Sequence, residues 1–107
     1  MSVVVVFTSR RTFDHDEDYA RMAARMDELV REQPGFMSIT SVRDPRTREG
    51  ITVAYFSDED AVRAWRQHPE HAEAQRRGIA DFYEEYHVTV GTVDREYGSD
   101  REHGSQP

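Results

Sequence analysis

The stretch SDEDAVRAWRQHPEHAEAQRRGIADFYEEY, residues 57–86, predicts two consecutive helices separated by a proline. Ser57 followed by Asp60 resembles a helix N-cap with acids in the first turn, where the helix dipole favours negative charge. Pro69 ends the first helix, because the residue before a proline is displaced from the α region. The same proline suits the first position of a second helix, where its missing N–H is not needed. We therefore predict one helix before Pro69 and another that runs on toward Tyr86.

The second predicted helix carries a histidine and a glutamine on the side that its apolar residues predict to be buried. At about 100° per residue, one stripe contains His71, Gln75, Gly78 and Phe82. Beside it lie Ala72, Ile79, Tyr83 and Tyr86, whereas the charged side chains fall on the opposite arc. Two interpretations are open: the polar pair forms hydrogen bonds at the edge of the core, or it lines a pocket.

Composition limits both the core and the partners. The chain of 107 residues suits one domain with a modest core, because only 36% of its residues are hydrophobic and 33% are charged. A mean hydropathy of −0.86 leaves a monomer little apolar surface to bury, so we expect association. A net charge of −7 and a pI near 5.1 argue against nucleic acid and anionic membranes as partners. The absence of cysteine excludes disulfides and thiolate sites, and the absence of lysine excludes Schiff-base catalysis.

The N-terminal segment does not resemble a targeting sequence. MSVVVVFTSRR is not a secretory signal, since its apolar run is short and the arginines follow it. No stretch approaches the ~18 apolar residues of a transmembrane helix. We therefore expect a soluble cytoplasmic protein without a membrane partner.

Outward from residues 57–86, the flanking segments predict strands and one further helix. The predicted elements are a strand at Val3–Phe7, a helix with an apolar face from Tyr19 to Val30 that ends at Pro34-Gly35, a hairpin of residues 36–44 and 51–56, and a last strand at His87–Tyr97. The composition of residues 98–107 predicts a disordered tail, so the domain is expected at residues 1–97.

This order predicts an α+β fold of the ferredoxin-like type, βαββ(αα)β, with a four-stranded antiparallel sheet. The first and third strands should lie centrally, because they are apolar on both faces. Helices of the same chain can cover one face of the sheet, and the other face needs a second copy. We therefore predict a homodimer in which two sheets close face to face around a two-fold axis.

Two groups of residues resemble metal sites, but the sequence predicts a metal ion at neither of them. The acids around His15 are explained by the start of a helix. His68 and His71 are three residues apart, but Pro69 interrupts the helix that would bring them together. No third ligand stands at a suitable spacing, so we predict no metal site.

Four segments together resemble a known family: Pro34-Gly35-Phe36, the strand ITVAYF, the segment SDEDAVRAWRQHPEHAEAQRRG and the closing strand VTVGTVDREY. They are similar to the antibiotic biosynthesis monooxygenase family, over residues 3–97. The resemblance implies a dimeric α/β barrel with a pocket in each subunit between the sheet and the helices. One branch of the family oxidises polycyclic phenols to quinones with O₂ and no cofactor, and another binds and degrades haem.

The residues that define these two branches are only partly present. The haem-degrading branch uses an asparagine on the first strand, a tryptophan, and a histidine ten residues later that binds iron. Trp65 matches the tryptophan, but Gln75 stands at the histidine position and Thr8–Ser9 are the nearest polar groups of the first strand. The quinone-forming branch has a polar residue and a tryptophan on the third strand, where this chain has Thr52 and Phe56. The resemblance thus implies the fold and leaves the reaction open.

Oxygenation without a cofactor requires an apolar cavity, a base and a donor for the developing oxyanion. We predict His71 as the base, because an imidazole titrates near ~6.5, and Gln75, one turn on, as the donor. Trp65 completes the predicted catalytic set, although core packing alone also explains a tryptophan. The predicted substrate-binding residues are Tyr55, Phe82, Tyr83, His68 and Phe7.

Three functions follow from these residues and this resemblance. The first is a small cofactor-independent monooxygenase that oxidises an aromatic, phenolic or quinol-type compound with O₂. The second is a non-catalytic dimeric module of the same fold that binds a ligand or serves a structural role, since fold alone does not fix function. The third is a haem-binding or haem-degrading protein, with haem as the only cofactor in question.

Overall fold

The computed structural model describes residues 1–99, so most of the predicted tail at 98–107 lies outside the described residues. The elements follow the predicted order: β1 (Val3–Arg11), α1 (Asp16–Arg31), β2 (Phe36–Arg43), β3 (Glu49–Phe56), α2 (Glu59–Gln67), α3 (Pro69–Arg77), a π-helical turn (Gly78–Phe82) and β4 (Tyr83–Thr92). None of the helices in the described part is long and apolar enough to cross a membrane. The domain boundary at residue 97 stays a prediction.

The four strands form one antiparallel sheet in the order β2-β3-β1-β4. The predicted α+β, ferredoxin-like fold and the central position of the first and third strands are therefore confirmed. β1 extends beyond the predicted end at Phe7, because its polar residues still find backbone partners on both neighbours. Ser9, for example, lies opposite Gly50 of β3 and Tyr86 of β4.

Alternation along the strands divides the sheet into two sides. Val3 and Val5 of β1 face the helices, together with their cross-strand partners Phe56 and Ala54. We call this the helix side, and the core cluster draws its strand residues from it alone. The members of that cluster are Val3, Leu29, Val30, Ala54, Phe56, Ala61, Val62 and Trp65. The opposite, open side carries the alternate residues of β1 and β3, such as Val4 and Val53.

The proline at position 69 separates two helices, as predicted. α2 ends at Gln67, and α3 begins with Pro69 at its first position. The predicted N-cap of α2 is wrong by one residue: Asp58, not Ser57, accepts a hydrogen bond from the Ala61 N–H at 2.8 Å. A carboxylate at this position satisfies a free N–H and also favours the positive end of the helix dipole.

The predicted course of the chain after α3 is wrong. The helix does not continue to Tyr86: α3 ends at Arg77, a π-helical turn follows, and β4 begins at Tyr83. Strand pairing replaces the helix because Tyr83 lies opposite Arg11 at the end of β1, and the Thr12 N–H donates to the Phe82 carbonyl at 2.9 Å. Consequently, β4 starts before the predicted His87, and it also ends before Tyr97, at Thr92.

Candidate active site

Trp65 and His71 form a stacked pair on the helix side. Their ring centroids are 4.1 Å apart, with an angle of 11° between the ring planes. Trp65 is buried and belongs to the core cluster. Because Pro69 restarts the chain as a second helix, His71 returns over the indole ring instead of continuing away from it. Core packing therefore fixes Trp65, and Trp65 in turn orients the imidazole.

The hydrogen bond of His71 determines which ring nitrogen is available. His71 Nδ1 lies 2.9 Å from the Trp65 backbone oxygen. A carbonyl only accepts, so Nδ1 carries the hydrogen and the lone pair of the neutral ring belongs to Nε2. Within the described residues Nε2 makes no hydrogen bond, and it is not sealed from solvent. It has the geometry of a free base.

The surroundings of His71 also favour its neutral form. Burial lowers the pKa of His71 below its ordinary value, and this outweighs the opposite effect of the bond to the Trp65 carbonyl. The neighbouring His68 and Arg66 side chains lower the pKa of His71 a little further. At neutral pH the side chain is therefore unprotonated, as a general base must be.

His68 has a structural role that the sequence analysis did not foresee. Its Nδ1 accepts a hydrogen bond from the Glu70 N–H at 3.2 Å, so the imidazole caps the N-terminus of α3. The ring also lies 5.9 Å from that of Trp65. Its role in substrate binding stays a prediction.

The predicted inward position of Gln75 is wrong. Gln75 is exposed, and Ala74 is buried in its place with 8% of its surface accessible. Ile79, predicted beside the buried stripe, is 60% exposed. The stack of His71 on Trp65 sets the rotation of α3, and the small Ala74 is what fits toward the interior. Gln75 therefore does not point to the interior where an oxyanion donor is required.

Tyr83 lies against the same helical face as His71. A Cβ added to Gly78 would come within 2.8 Å of Tyr83 Cε2, so the phenol ring packs directly on this glycine. Gly78 follows His71 by seven residues, which is two helical turns and about 10 Å along the axis. Burial raises the pKa of Tyr83, and the neighbouring Tyr19 hydroxyl raises it further. Tyr83 thus remains a protonated donor.

The helix side of β4 is left largely uncovered and forms an apolar floor. Phe7 lies 5.3 Å from the Tyr83 ring and 6.3 Å from the Tyr86 ring. Val88 lies opposite Phe7, and Val90 continues the row. Val88 and Val90 are 48% and 44% exposed, because β4 packs mainly on β1 and the π-helical turn. We call Phe7, Tyr86, Val88 and Val90 the apolar strip.

Two of the predicted aromatic contacts are not available to a ligand on the helix side. Tyr55 lies opposite Val4 and Ser38, which places it on the open side, across the sheet from Trp65. The predicted single aromatic wall is therefore wrong for Tyr55. Phe82 is on the helix side but is only 1% exposed, with its ring 5.6 Å from that of Tyr19. It belongs to the packing beneath the site.

A group of arginine and tyrosine side chains near Tyr83 was missed by the sequence analysis. The Arg11 guanidinium lies 4.0 Å from the centre of the Tyr19 ring, and Arg43 lies 5.6 Å from the same ring and 5.9 Å from that of Tyr83. Alternation from Val3 already assigned Arg11 to the helix side. That signal was present, but an arginine at a strand end is usually taken as exposed.

Two depressions in the surface lie away from His71. One of about 550 Å³ is lined by Thr8, Arg10, Glu85 and His87 among others, and a second of about 580 Å³ lies on the β2–β3 hairpin. Neither is lined by His71 or Trp65. The ring pair therefore lies outside both depressions.

Comparisons with known proteins give a consistent result. A model of the family described as "Antibiotic biosynthesis monooxygenase" matches residues 2–77, up to the end of α3. "Uncharacterized protein YqjZ" of Bacillus subtilis (strain 168) is 42% identical over 92 residues, which cover 86% of this chain and 79% of that protein.

Solved structures show the same fold at low sequence identity. SnoaB, a cofactor-independent oxygenase from Streptomyces nogalater, has a TM-score of 0.73 and 19% identity over 89% of this chain and 95% of its own. Rv0793 from Mycobacterium tuberculosis has a TM-score of 0.79 and 16% identity over 90% and 98%. At such identities the likeness concerns the fold alone.

Proposed function

The chain belongs to the antibiotic biosynthesis monooxygenase family, and from this premise we propose that it is a cofactor-independent monooxygenase acting on an aromatic, phenolic or quinol-type compound. The observation that carries the proposal is the His71–Trp65 pair, with Nδ1 held by a carbonyl and Nε2 free. A half-buried, neutral imidazole beside an aromatic ring combines a base with a surface for a flat substrate. SnoaB, which has this fold, is described as a cofactor-independent oxygenase.

The proposed reaction needs no electron donor besides its substrate. His71 Nε2 removes a proton from the substrate, and the resulting electron-rich anion reduces O₂. One oxygen atom enters the ring as a carbonyl and the other leaves as water, as in the conversion of a naphthol and O₂ to a naphthoquinone and H₂O. The task of the protein is then to form the anion and to stabilise its charge.

The positions of the two polar groups suggest the size of the substrate. His71 and the residue that Tyr83 packs on are about 10 Å apart along the helix, which matches a flat system of roughly two or three fused rings. Conjugation carries the negative charge from the site of proton removal to an oxygen atom near the Tyr83 hydroxyl. Tyr83 takes the donor role first predicted for Gln75. The apolar strip provides a surface for the rings.

We also propose that the functional unit is a homodimer. The open side of the sheet carries apolar residues, including Val42 and Ile51, which are 63% and 39% exposed. A second copy packed sheet to sheet would cover them, and apolar burial of this kind is the usual reason for a two-fold association. The ligand site lies on the other side of the sheet, so that dimer formation leaves it accessible.

A non-catalytic ligand-binding module is the second candidate, because His71 lines neither of the two depressions described above. Both candidates bind an aromatic compound, but only the monooxygenase converts it to product. Oxygen uptake should be followed with 1-naphthol and anthrone, after subtraction of the rate without protein. Uptake of one O₂ per quinone formed, lost in His71→Phe and kept in His68→Asn, is the expected result. Binding without uptake for the whole panel would favour the module.

A further inference from the structure

The end of the site marked by Tyr83 is unusually rich in positive charge. Arg11, Arg43 and Arg48 converge there, and Arg11 and Arg48 share one carboxylate, that of Asp16. The chain as a whole has a net charge of −7, so this local excess of cations runs against its general composition. We call Arg11, Arg43, Tyr19 and Tyr83 the arginine–tyrosine cluster.

Arg43 has no charged partner among the residues that the structure describes. Its guanidinium donates to the Ser9 Oγ at 2.7 Å, to the Arg48 carbonyl at 2.6 Å and to the Tyr19 hydroxyl at 3.4 Å, all of them uncharged. A weaker contact of 3.4 Å reaches the Ser9 carbonyl. Neutral acceptors position the guanidinium but do not balance its charge.

The sheet is shaped to hold this guanidinium flat. A Cβ on Gly50 would lie 2.7 Å from Arg43 Cζ, so any larger residue there would displace it. The planar group therefore lies against β3 on the helix side, with the phenol ring of Tyr83 5.9 Å away. The position of the guanidinium thus depends on the absence of a side chain at Gly50.

Arg11 supplies a second, independent sign of incomplete pairing. Its side chain is 3% exposed, yet its Nε atom is buried without a hydrogen-bond partner in the described residues. A buried donor without an acceptor is costly, and a native structure that retains one needs a reason for it, such as a role at a site. Its guanidinium lies 4.0 Å from the Tyr19 ring, so its charge acts on the same region as that of Arg43.

We propose that the arginine–tyrosine cluster binds an oxyanion attached to the aromatic substrate, either a carboxylate or an ionised hydroxyl. The inference rests on the proposed function in one respect: the ring that carries the oxyanion occupies the apolar strip beside the cluster. Arg43 supplies the charge, and the hydroxyls of Tyr19 and Tyr83 supply short-range hydrogen bonds. The protein thereby selects acidic aromatic compounds over neutral ones of the same shape.

A binding experiment tests this inference without reliance on turnover. Isothermal titration calorimetry should compare 2-naphthoate with its methyl ester, which keeps the rings and removes the charge. We expect the acid to bind at least about tenfold more tightly, the usual worth of a charge-assisted hydrogen bond. Equal affinities of the wild-type chain for acid and ester would overturn the proposal.

Substitutions locate the effect. Arg43→Gln should weaken binding of 2-naphthoate by about 10- to 100-fold and leave the ester unchanged. Arg46→Gln removes the same charge from an exposed position three residues away and should change the affinity for neither the acid nor the ester. If Arg46→Gln weakened binding of the acid as much as Arg43→Gln, a specific site would be refuted. Tyr83→Phe removes one hydroxyl without altering the net charge and should weaken binding of 2-naphthoate by several fold. If Arg43→Gln does not fold, the affinity of Tyr83→Phe for the acid still decides the question.

The binding test of the arginine–tyrosine cluster and the oxygen-uptake test of the monooxygenase can fail independently. Preference for the acid without any oxygen uptake would support the cluster and contradict the monooxygenase. Oxygen uptake with neutral phenols, combined with equal affinity for acid and ester, would support the monooxygenase and contradict the cluster.

Discussion

Replacement of His71 by phenylalanine is the most informative perturbation, because it separates the base from the stacked ring. Phenylalanine preserves the aromatic contact with Trp65, now seen at 4.1 Å. It removes both ring nitrogens, including the Nδ1–H that bonds the Trp65 carbonyl at 2.9 Å. The lost hydrogen bond is worth about 1–2 kcal/mol, a minority of the 5–15 kcal/mol that stabilises a typical domain. The variant should remain folded.

Loss of the base should reduce kcat by about 10²–10⁴ for any substrate oxidised by the wild-type chain. Binding of a flat aromatic ligand should change little, because the ring surface persists. Since the pKa of His71 lies below its ordinary value, the wild-type rate should rise with pH to a plateau, with its midpoint below about 6.5. In His71→Phe this rise of the rate with pH should be absent.

Stability measurements give a second, substrate-free check of the same imidazole. With a pKa lower in the folded than in the unfolded chain, the unfolded chain binds more protons between the two values. The free energy of unfolding should therefore fall as pH drops from about 6.5 toward the folded pKa, and His71→Phe should lose this contribution.

His68→Asn is the matched control, because asparagine keeps an N-cap acceptor while it removes the imidazole directly before the start of α3. It should leave kcat and stability nearly unchanged, and an increase in KM alone would be the sign of a substrate contact at His68. If His71→Phe melts at a lower temperature but turns over at the wild-type rate, His71 is a core histidine and the assignment as base is wrong.

The other predictions concern assembly, haem and packing. Light scattering at micromolar concentration should give about twice the 12.5 kDa of one chain, and Ile51→Glu should halve it; a wild-type monomer would contradict the proposed dimer. Haem titration should give no sharp Soret shift and no loss of the haem spectrum with reductant, because the residue ten positions after Trp65 is Gln75, an exposed amide in place of a histidine ligand. Gly78→Ala should destabilise the fold by about 1–3 kcal/mol in urea titrations, since its Cβ meets Tyr83 at 2.8 Å. Stabilisation, the usual effect of alanine in a helix, would show that the ring does not pack there.

The order of elements could be predicted because its signals are local. Pro69 marks a helix boundary through its own stereochemistry, and Pro34-Gly35 ends α1 in the same way. The central place of β1 followed from its continuous β-branched run, which only a doubly covered strand explains. None of these inferences required knowledge of which residues meet in space.

The site was less predictable because its geometry depends on contacts between distant segments. Residues three and four positions after His71 lie almost equally close to its face of a helix, so periodicity alone does not separate Ala74 from Gln75. The stack on Trp65 makes that choice. Similarly, alternation divides β3 into two sets but does not say which set faces the helices, and Tyr55 was assigned to the wrong one.

One extra residue in β4 explains how both tyrosines come to share the site. On a regular strand Tyr83 and Tyr86, three residues apart, would face opposite sides of the sheet. The register with β1 shifts before Arg11, and Glu84 is the residue left without a partner. This bulge turns Tyr83 to the helix side, where both rings approach Phe7, at 5.3 and 6.3 Å. Bulges often re-aim a side chain beside an active site, and no glycine or proline announces this one in the sequence. The donor opposite the base is thus positioned by a register shift that only the paired strands reveal.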